Sequence, residues 1–193
     1  MAMEDTPQPY RPSYTITPRL ASRIAEAARL ATEVERFPVQ RLALTALERA
    51  AFERRVHASV SLEGNPLSEA EVARLLRQPP PRPREAAARE VLNYAEAVRL
   101  AARWARKGVI GERGLLGLHA AVGRGLIRPA GRYRARPMIV RDPDLGAVVH
   151  RAPGPERVPA LTRAFLRWAD GSEARALPWP ILGGIVHARL ARI

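Results

Sequence analysis

The side chains that could carry out chemistry in this chain do not include a thiol, because its 193 residues contain no cysteine. A cysteine nucleophile, a thiolate metal site and a disulfide are therefore excluded. The histidines are His57, His119, His150 and His187, and no two of them have the spacing of paired metal ligands on a helix. We interpret His119 and His187, which lie among apolar residues, as core or interhelical hydrogen-bonding groups. The histidines thus predict no zinc or iron site.

Glycines do not form a phosphate-binding loop in this sequence. Gly123-Arg124-Gly125 lacks the lysine and hydroxyl of a P-loop, and Gly183-Gly184 lies inside a helical pattern. A G-x-S-x-G nucleophile elbow is also missing. Residue types and spacings, taken alone, therefore predict no catalytic residue.

The elements that would position any site are mostly helical. Apolar residues recur at helical spacing over 17–37, 40–59, 84–107, 112–126, from Glu156 onward, and over 178–193. In the second of these segments we expect Leu44, Leu47, Ala51 and Val56 to face inward. Another helix is predicted after Ser68, which can cap it, with Glu71 as capping-box partner and Leu67 and Val72 as a hydrophobic staple.

Two segments interrupt the helical pattern. Prolines between Gln78 and Arg84 predict a semi-rigid extended linker. Met138 to Val140 and Ala147 to Val149 are β-prone runs on either side of a turn-forming stretch, 142–146, which predicts a β-hairpin. The expected organisation is an N-terminal helical arm (1–78), a proline-rich linker (79–84) and a helical core (85–193), mainly α with one hairpin.

The charge is strongly positive, with a formal net charge of +13, and all but one of the 32 basic residues are arginine. Such a charge makes a nucleic-acid partner possible. The arginines are nevertheless spread along the chain and only 5% of residues are aromatic, so a solvated arginine surface is favoured over nucleic-acid binding. No apolar run is long enough to span a bilayer and no signal-peptide core is present, so we expect a cytoplasmic protein without a membrane partner.

Several motifs follow one another in a recognisable order. The first is Ser59-Val60-Ser61-Leu62-Glu63-Gly64-Asn65, continued by Pro66-Leu67-Ser68 and Glu71-Val72. After the linker come Glu90-Val91-x-Asn93-Tyr94, Leu118-His119, Gly131-x-Tyr133-Arg134, and the segment from Leu177-Pro178 to His187 and Ile193. Together, over about residues 14–193, they resemble the Fic family.

The resemblance implies a Fic-like helical bundle with one hairpin flap. In the family, the isoleucine that matches Ile193 is followed by the signature H-P-F-x-x-G-N-G-R, which the 193 residues do not contain. We therefore expect a C-terminally incomplete, truncated core without catalytic, cofactor-binding or metal residues of its own, and an inactive chain. A complete protein of this kind would use ATP and Mg²⁺ to transfer AMP to a hydroxyl of a target protein.

Two sets of residues are implied as sites by the same resemblance. Ser59, Glu63, Gly64 and Asn65 correspond to the inhibitory motif, in which the glutamate pairs with an arginine of the signature. Met138, Ile139, Val140, Val148 and Val149 belong to the target-docking flap, which would bind a target protein by strand pairing. The alternatives are a solvated carboxylate at a helix end and a purely structural hairpin. For the whole chain, the alternative is a non-catalytic basic helical module or scaffold that binds nucleic acid or protein.

Overall fold

A computed structural model describes residues 9–38, 41–106, 108, 111–142 and 146–193 of the chain. The first eight residues of the predicted arm, the predicted helix ends at Gln40 and Lys107, and the middle of the hairpin turn (143–145) lie outside these ranges. In chain order the elements are α1 (Pro18–Arg36), α2 (Arg41–Leu62), α3 (Glu69–Arg77), α4 (Ala86–Ala105), α5 (Gly111–Gly123), β1 (Ile139–Arg141), β2 (Val148–Arg151), α6 (Val158–Ala169), α7 (Ser172–Arg175) and α8 (Trp179–Leu190). The predicted class, mainly α with one hairpin, is confirmed.

The chain divides into two compact units. The central unit is Pro38–Arg132, and the terminal unit combines Met1–Phe37 with Tyr133–Ile193. In the central unit, α2, α3 and α4 share one hydrophobic core, whose fully enclosed members are Val56, Val60, Val72, Val91 and Ala95. Helices on both sides of the proline-rich segment thus contribute to the same core.

The apolar face predicted for the helix at 40–59 is only partly correct. Val56 is buried, but Leu44, Leu47 and Ala51 are exposed, with Leu47 at 55% of its accessible surface. Periodicity identifies the apolar side of a helix, whereas burial depends on whether another element covers that side. Among the described residues, no other element covers the side of α2 that carries Leu44, Leu47 and Ala51.

Two polar contacts stabilise α3, one at its start and one that joins it to α2. The predicted capping box at the start of α3 is confirmed: Ser68 Oγ accepts from the Glu71 amide and the Ser68 amide donates to Glu71 Oε2 at 2.9 Å. Glu53 of α2 is 6% exposed and receives two hydrogen bonds from Arg77, at 2.9 and 2.7 Å. The Arg77 guanidinium lowers the pKa of the Glu53 carboxyl, which fixes the charge of this nearly buried group.

The terminal unit has an aromatic core. Phe165 and Trp168 of α6 pack with Ala174 of α7, and Tyr10 places its ring edge-on against both aromatic rings. Apolar residues of α8 complete the cluster: Leu182, Ile185 and Val186. His187 was interpreted as a core or interhelical hydrogen-bonding group, and the core interpretation is wrong because the residue is exposed on α8.

The hairpin is a two-stranded antiparallel sheet. Ile139 pairs with Arg151 and Val140 with His150, and an irregularity follows Val140. The Asp142 amide donates to the carbonyl of Ala147 at 2.8 Å, which closes the hairpin next to its turn. Within the described ranges, no helix combines the length and the apolar character required to cross a membrane.

Candidate functional site

The last turn of α2 places Glu63 through a backbone motif. The Asn65 amide donates to the carbonyl of Val60 at 3.1 Å, and the Gly64 amide donates to that of Ser61 at 3.0 Å. This pair of bonds is a Schellman motif, in which Glu63 is the C-cap residue and the next residue adopts a left-handed conformation. Gly64 has φ +88°, which glycine adopts without the steric cost that a side chain would add. The sequence Glu63-Gly64-Asn65 therefore ends this helix through local backbone interactions.

Asn65 connects that helix end to α4. Its side-chain nitrogen donates to the carbonyl of Ala87 at 3.1 Å and to Glu90 Oε2 at 2.8 Å. Its side-chain oxygen accepts from the Leu67 amide at 3.2 Å. Asn65 is only 8% exposed, and all its hydrogen-bonding groups on the side chain have partners, as a buried amide requires.

Ser59 makes a second connection between the same two helices. The Tyr94 hydroxyl of α4 donates to Ser59 Oγ at 2.9 Å, one turn before the end of α2. Tyr94 also packs against the hydrophobic core of the central unit. The end of α2 is thus attached to α4 by two polar side chains, Ser59 and Asn65.

The side chain of Glu63 is exposed, and its carboxylate forms no hydrogen bond or ion pair with any residue in the described part of the chain. Its position at the carboxyl end of a helix is electrostatically unfavourable, because the helix dipole is negative there. The last turn of α2 has no basic residue to offset this effect. The carboxylate of Glu63 therefore does not stabilise α2, and helix stability does not account for a glutamate at this position.

The predicted flap residues lie on the hairpin of the terminal unit. Met138, Ile139, Val140 and Val149 are exposed, with Val149 at 62%, and Val148 is half-buried. Because the sheet has two strands, each strand has one edge without a strand partner among the described residues. Exposed apolar side chains on an open-edged hairpin are a surface that an extended segment can join by strand pairing.

A solved structure of a Fic family protein from Desulfovibrio desulfuricans G20 matches this chain with a TM-score of 0.67 and 30% sequence identity. The match covers 84% of this chain. The chain has a Fic-like fold. It spans about half of the matched protein, 48% of that chain. No family model matches the sequence, and no curated protein matches it either.

Within the Fic-like fold, the structure brings Ser59, Gly64 and Asn65 together at the end of α2, with Glu63 projecting beside them. The flap residues belong to the terminal unit, whereas this cluster belongs to the central unit. Sequence reasoning missed the partners of the motif, Glu90 and Tyr94 on α4. The run from Glu90 to Tyr94 is part of the resemblance, so the sequence did mark these residues. Their contact with the motif could not be predicted, because it depends on how the helices pack.

The Fic-like fold also raises the question of Mg²⁺ and ATP. Across the described ranges, no group of three or more histidine, aspartate or glutamate side chains is arranged to hold a metal ion. Because Mg²⁺ that is bound with ATP takes most of its ligands from phosphate and water and only one or two from protein carboxylates, this finding concerns only a metal site built from protein side chains alone.

Proposed function

We propose that this chain provides the helical core, the inhibitory element and the target-docking flap of a Fic-like protein AMP transferase. In such an enzyme a target hydroxyl attacks the α-phosphorus of ATP, pyrophosphate leaves, and a base accepts the hydroxyl proton. The signature that would supply the base and the phosphate-binding turn does not occur among the 193 residues. We therefore propose further that the 193-residue polypeptide alone neither transfers AMP nor binds ATP tightly.

The observation that carries the proposal is the state of Glu63. Its backbone is held by the Schellman motif, while its carboxylate is exposed, has no partner among the described residues and stands at the unfavourable end of a helix. Such a carboxylate is available to accept two parallel hydrogen bonds from an arginine. By resemblance, that arginine belongs to the signature region, and pairing with it would prevent productive placement of the γ-phosphate.

The first test uses an extended form of the protein that carries the signature segment after Ile193. With labelled ATP and Mg²⁺, we expect AMP transfer by the extended form and none by the 193-residue chain. Glu63→Ala in the extended form is expected to raise the transfer rate on the order of 10-fold, because hydrogen bonds to a charged group contribute about 1.5–3 kcal/mol.

Glu69→Ala is the matched control, since Glu69 is another exposed glutamate close by at the start of α3. It should leave the rate unchanged. An equal rate in the Glu63 variant and the parent would remove the inhibitory assignment. If the extended form transfers no AMP while the chain binds duplex DNA in a salt-sensitive way, the basic binding module is the better description.

The docking role of the flap rests on the exposure of its apolar residues and on the strand edges that have no strand partner among the described residues. Val149→Glu places a charge on the most exposed of these side chains without disturbing a buried group. We expect this variant of the extended form to lose most of its AMP transfer to a target protein. Its ATP hydrolysis, or its self-labelling, should continue at the parent rate. Equal labelling of the target by both proteins would indicate a purely structural hairpin.

A further inference from the structure

We infer that Asn65 is a positioning residue for Glu63: it fastens the end of α2 to α4 and so keeps the Glu63 carboxylate where it can inhibit. The consequence for inhibition rests on the proposed function, whereas the mechanical part, the fastening of the helix end, can be tested without it.

The burial pattern around the helix end singles out Asn65. Residues 61–64 and Pro66 are all exposed, and Asn65 is the buried residue among them. An alanine methyl built onto Gly64 would meet no atom within 4 Å, so this part of the backbone has open space around it. Asn65 is therefore the residue of the segment 61–66 whose side chain is enclosed by the rest of the unit.

The partners of Asn65 show what it is fastened to. The Schellman bonds join the helix end to α2 itself, and so they fix Glu63 only relative to its own helix. The bonds from the Asn65 side chain reach Ala87 and Glu90, in the first turns of α4. The Ser59–Tyr94 bond and the packing of Val60 also relate α2 to the rest of the central unit, but they act before Glu63, whereas the Asn65 bonds act after it.

A second asparagine provides a matched control. Asn93 also lies buried, at 6% exposure, and donates two hydrogen bonds to backbone carbonyls, those of Val122 and Arg124 at the end of α5. Asn65→Ala and Asn93→Ala thus remove the same side chain and two comparable bonds from the same unit. The structure predicts that they loosen different helix ends.

Hydrogen exchange on the 193-residue chain tests the fastening. The amides of Glu63, Gly64 and Asn65 donate to carbonyls of α2, not to the Asn65 side chain, so their exchange reports opening of the helix end. We expect Asn65→Ala to accelerate the exchange of these three amides on the order of 10-fold or more, because two or three hydrogen bonds are lost. Asn93→Ala should leave these amides at the parent rate.

Glu90→Ala is a milder second variant, which tests the same contact if Asn65→Ala does not fold. It removes one acceptor on α4 and keeps the bond to Ala87, so a smaller acceleration of the same amides is expected. Parent-like exchange of these amides in both the Asn65 and the Glu90 variants would overturn the inference.

The extended form tests whether fastening matters for inhibition. Asn65→Ala should raise AMP transfer, and it should add nothing further in a Glu63→Ala background, because both changes remove the same inhibitory contact. A purely structural role would lower transfer in both backgrounds, and that result overturns the positioning role. If Glu63→Ala itself has no effect, the proposed function fails, and the exchange experiment still decides whether Asn65 holds the helix end.

Discussion

Phe165→Ala is expected to lower the free energy of unfolding of the terminal unit by about 4 kcal/mol. Phe165 is 2% exposed and stands at the centre of the aromatic core. Removal of its ring leaves a cavity and loses edge-on contact with Tyr10 at 5.4 Å and stacking with Trp168 at 6.0 Å.

The surroundings of Phe165 cannot easily close this cavity. Trp168 follows on the same helix and is only 9% exposed, so its ring is already enclosed by its neighbours. Leu182 and Val186 of α8 pack on the same cluster and would lose their partner as well. Since α8 leads to Ile193, where the extended form joins the signature segment, we expect the variant to transfer little AMP.

Chemical denaturation followed by segment-resolved hydrogen exchange measures the effect. Amides of α6 and α8 should exchange faster, while those of α4 in the central unit should keep their protection if the two units unfold separately. Phe37→Ala is the control, because Phe37 is 70% exposed and its loss should cost less than about 0.5 kcal/mol. Equal losses in the two variants would show that α6 is not the centre of the terminal unit.

What the sequence could predict is what depends on neighbouring residues. Helical periodicity located the helices, and the capping box at Ser68 and Glu71 was predictable because both bonds lie within four residues of chain. The β-prone runs predicted the hairpin for the same reason. Burial cannot be predicted in the same way: Leu47 shows the same apolar periodicity as Val56 but remains exposed, because no element in the described part of the chain covers it.

The candidate site was predicted by resemblance more than by physics. The resemblance indicated Ser59, Glu63, Gly64 and Asn65 as a motif, but the local pattern gave only a helix end followed by a turn. The bonds from Asn65 reach residues 22 and 25 positions away, a distance in sequence over which no periodicity or capping rule applies. Only the packing of α2, α3 and α4 on one core brings these partners together.

Gly131→Ala is the second change with a large expected effect, a loss of about 3 kcal/mol in the stability of the central unit. Gly131 has φ +74°, a left-handed conformation that costs about 1–2 kcal/mol for a residue with a Cβ. The added methyl would also lie 2.8 Å from the Ala120 Cβ and 3.3 Å from the carbonyl oxygen of Leu116, both on α5. Overpacking of this kind adds about 1–3 kcal/mol.

The clash cannot be relieved by a rotation of side chains. Ala120 has no rotamer to change and the Leu116 oxygen belongs to the helix backbone, so the loop must move away from α5. Such a movement stretches the bond from the Gly131 amide to His119 Nδ1, which is 3.2 Å long. The glycine of the Gly131-x-Tyr133-Arg134 turn is therefore required by its backbone conformation and by its close approach to a helix.

Gly64→Ala separates these two causes. Gly64 has a similarly positive φ, but a methyl group there would meet nothing within 4 Å, so this variant carries the conformational cost alone, about 1–2 kcal/mol. Both glycines lie in the central unit, and one denaturation experiment compares them under the same conditions. We expect Gly131→Ala to be the more destabilising by at least about 1 kcal/mol. If the two losses are equal, the close contact between residue 131 and α5 contributes nothing, and the left-handed turn alone explains the glycine.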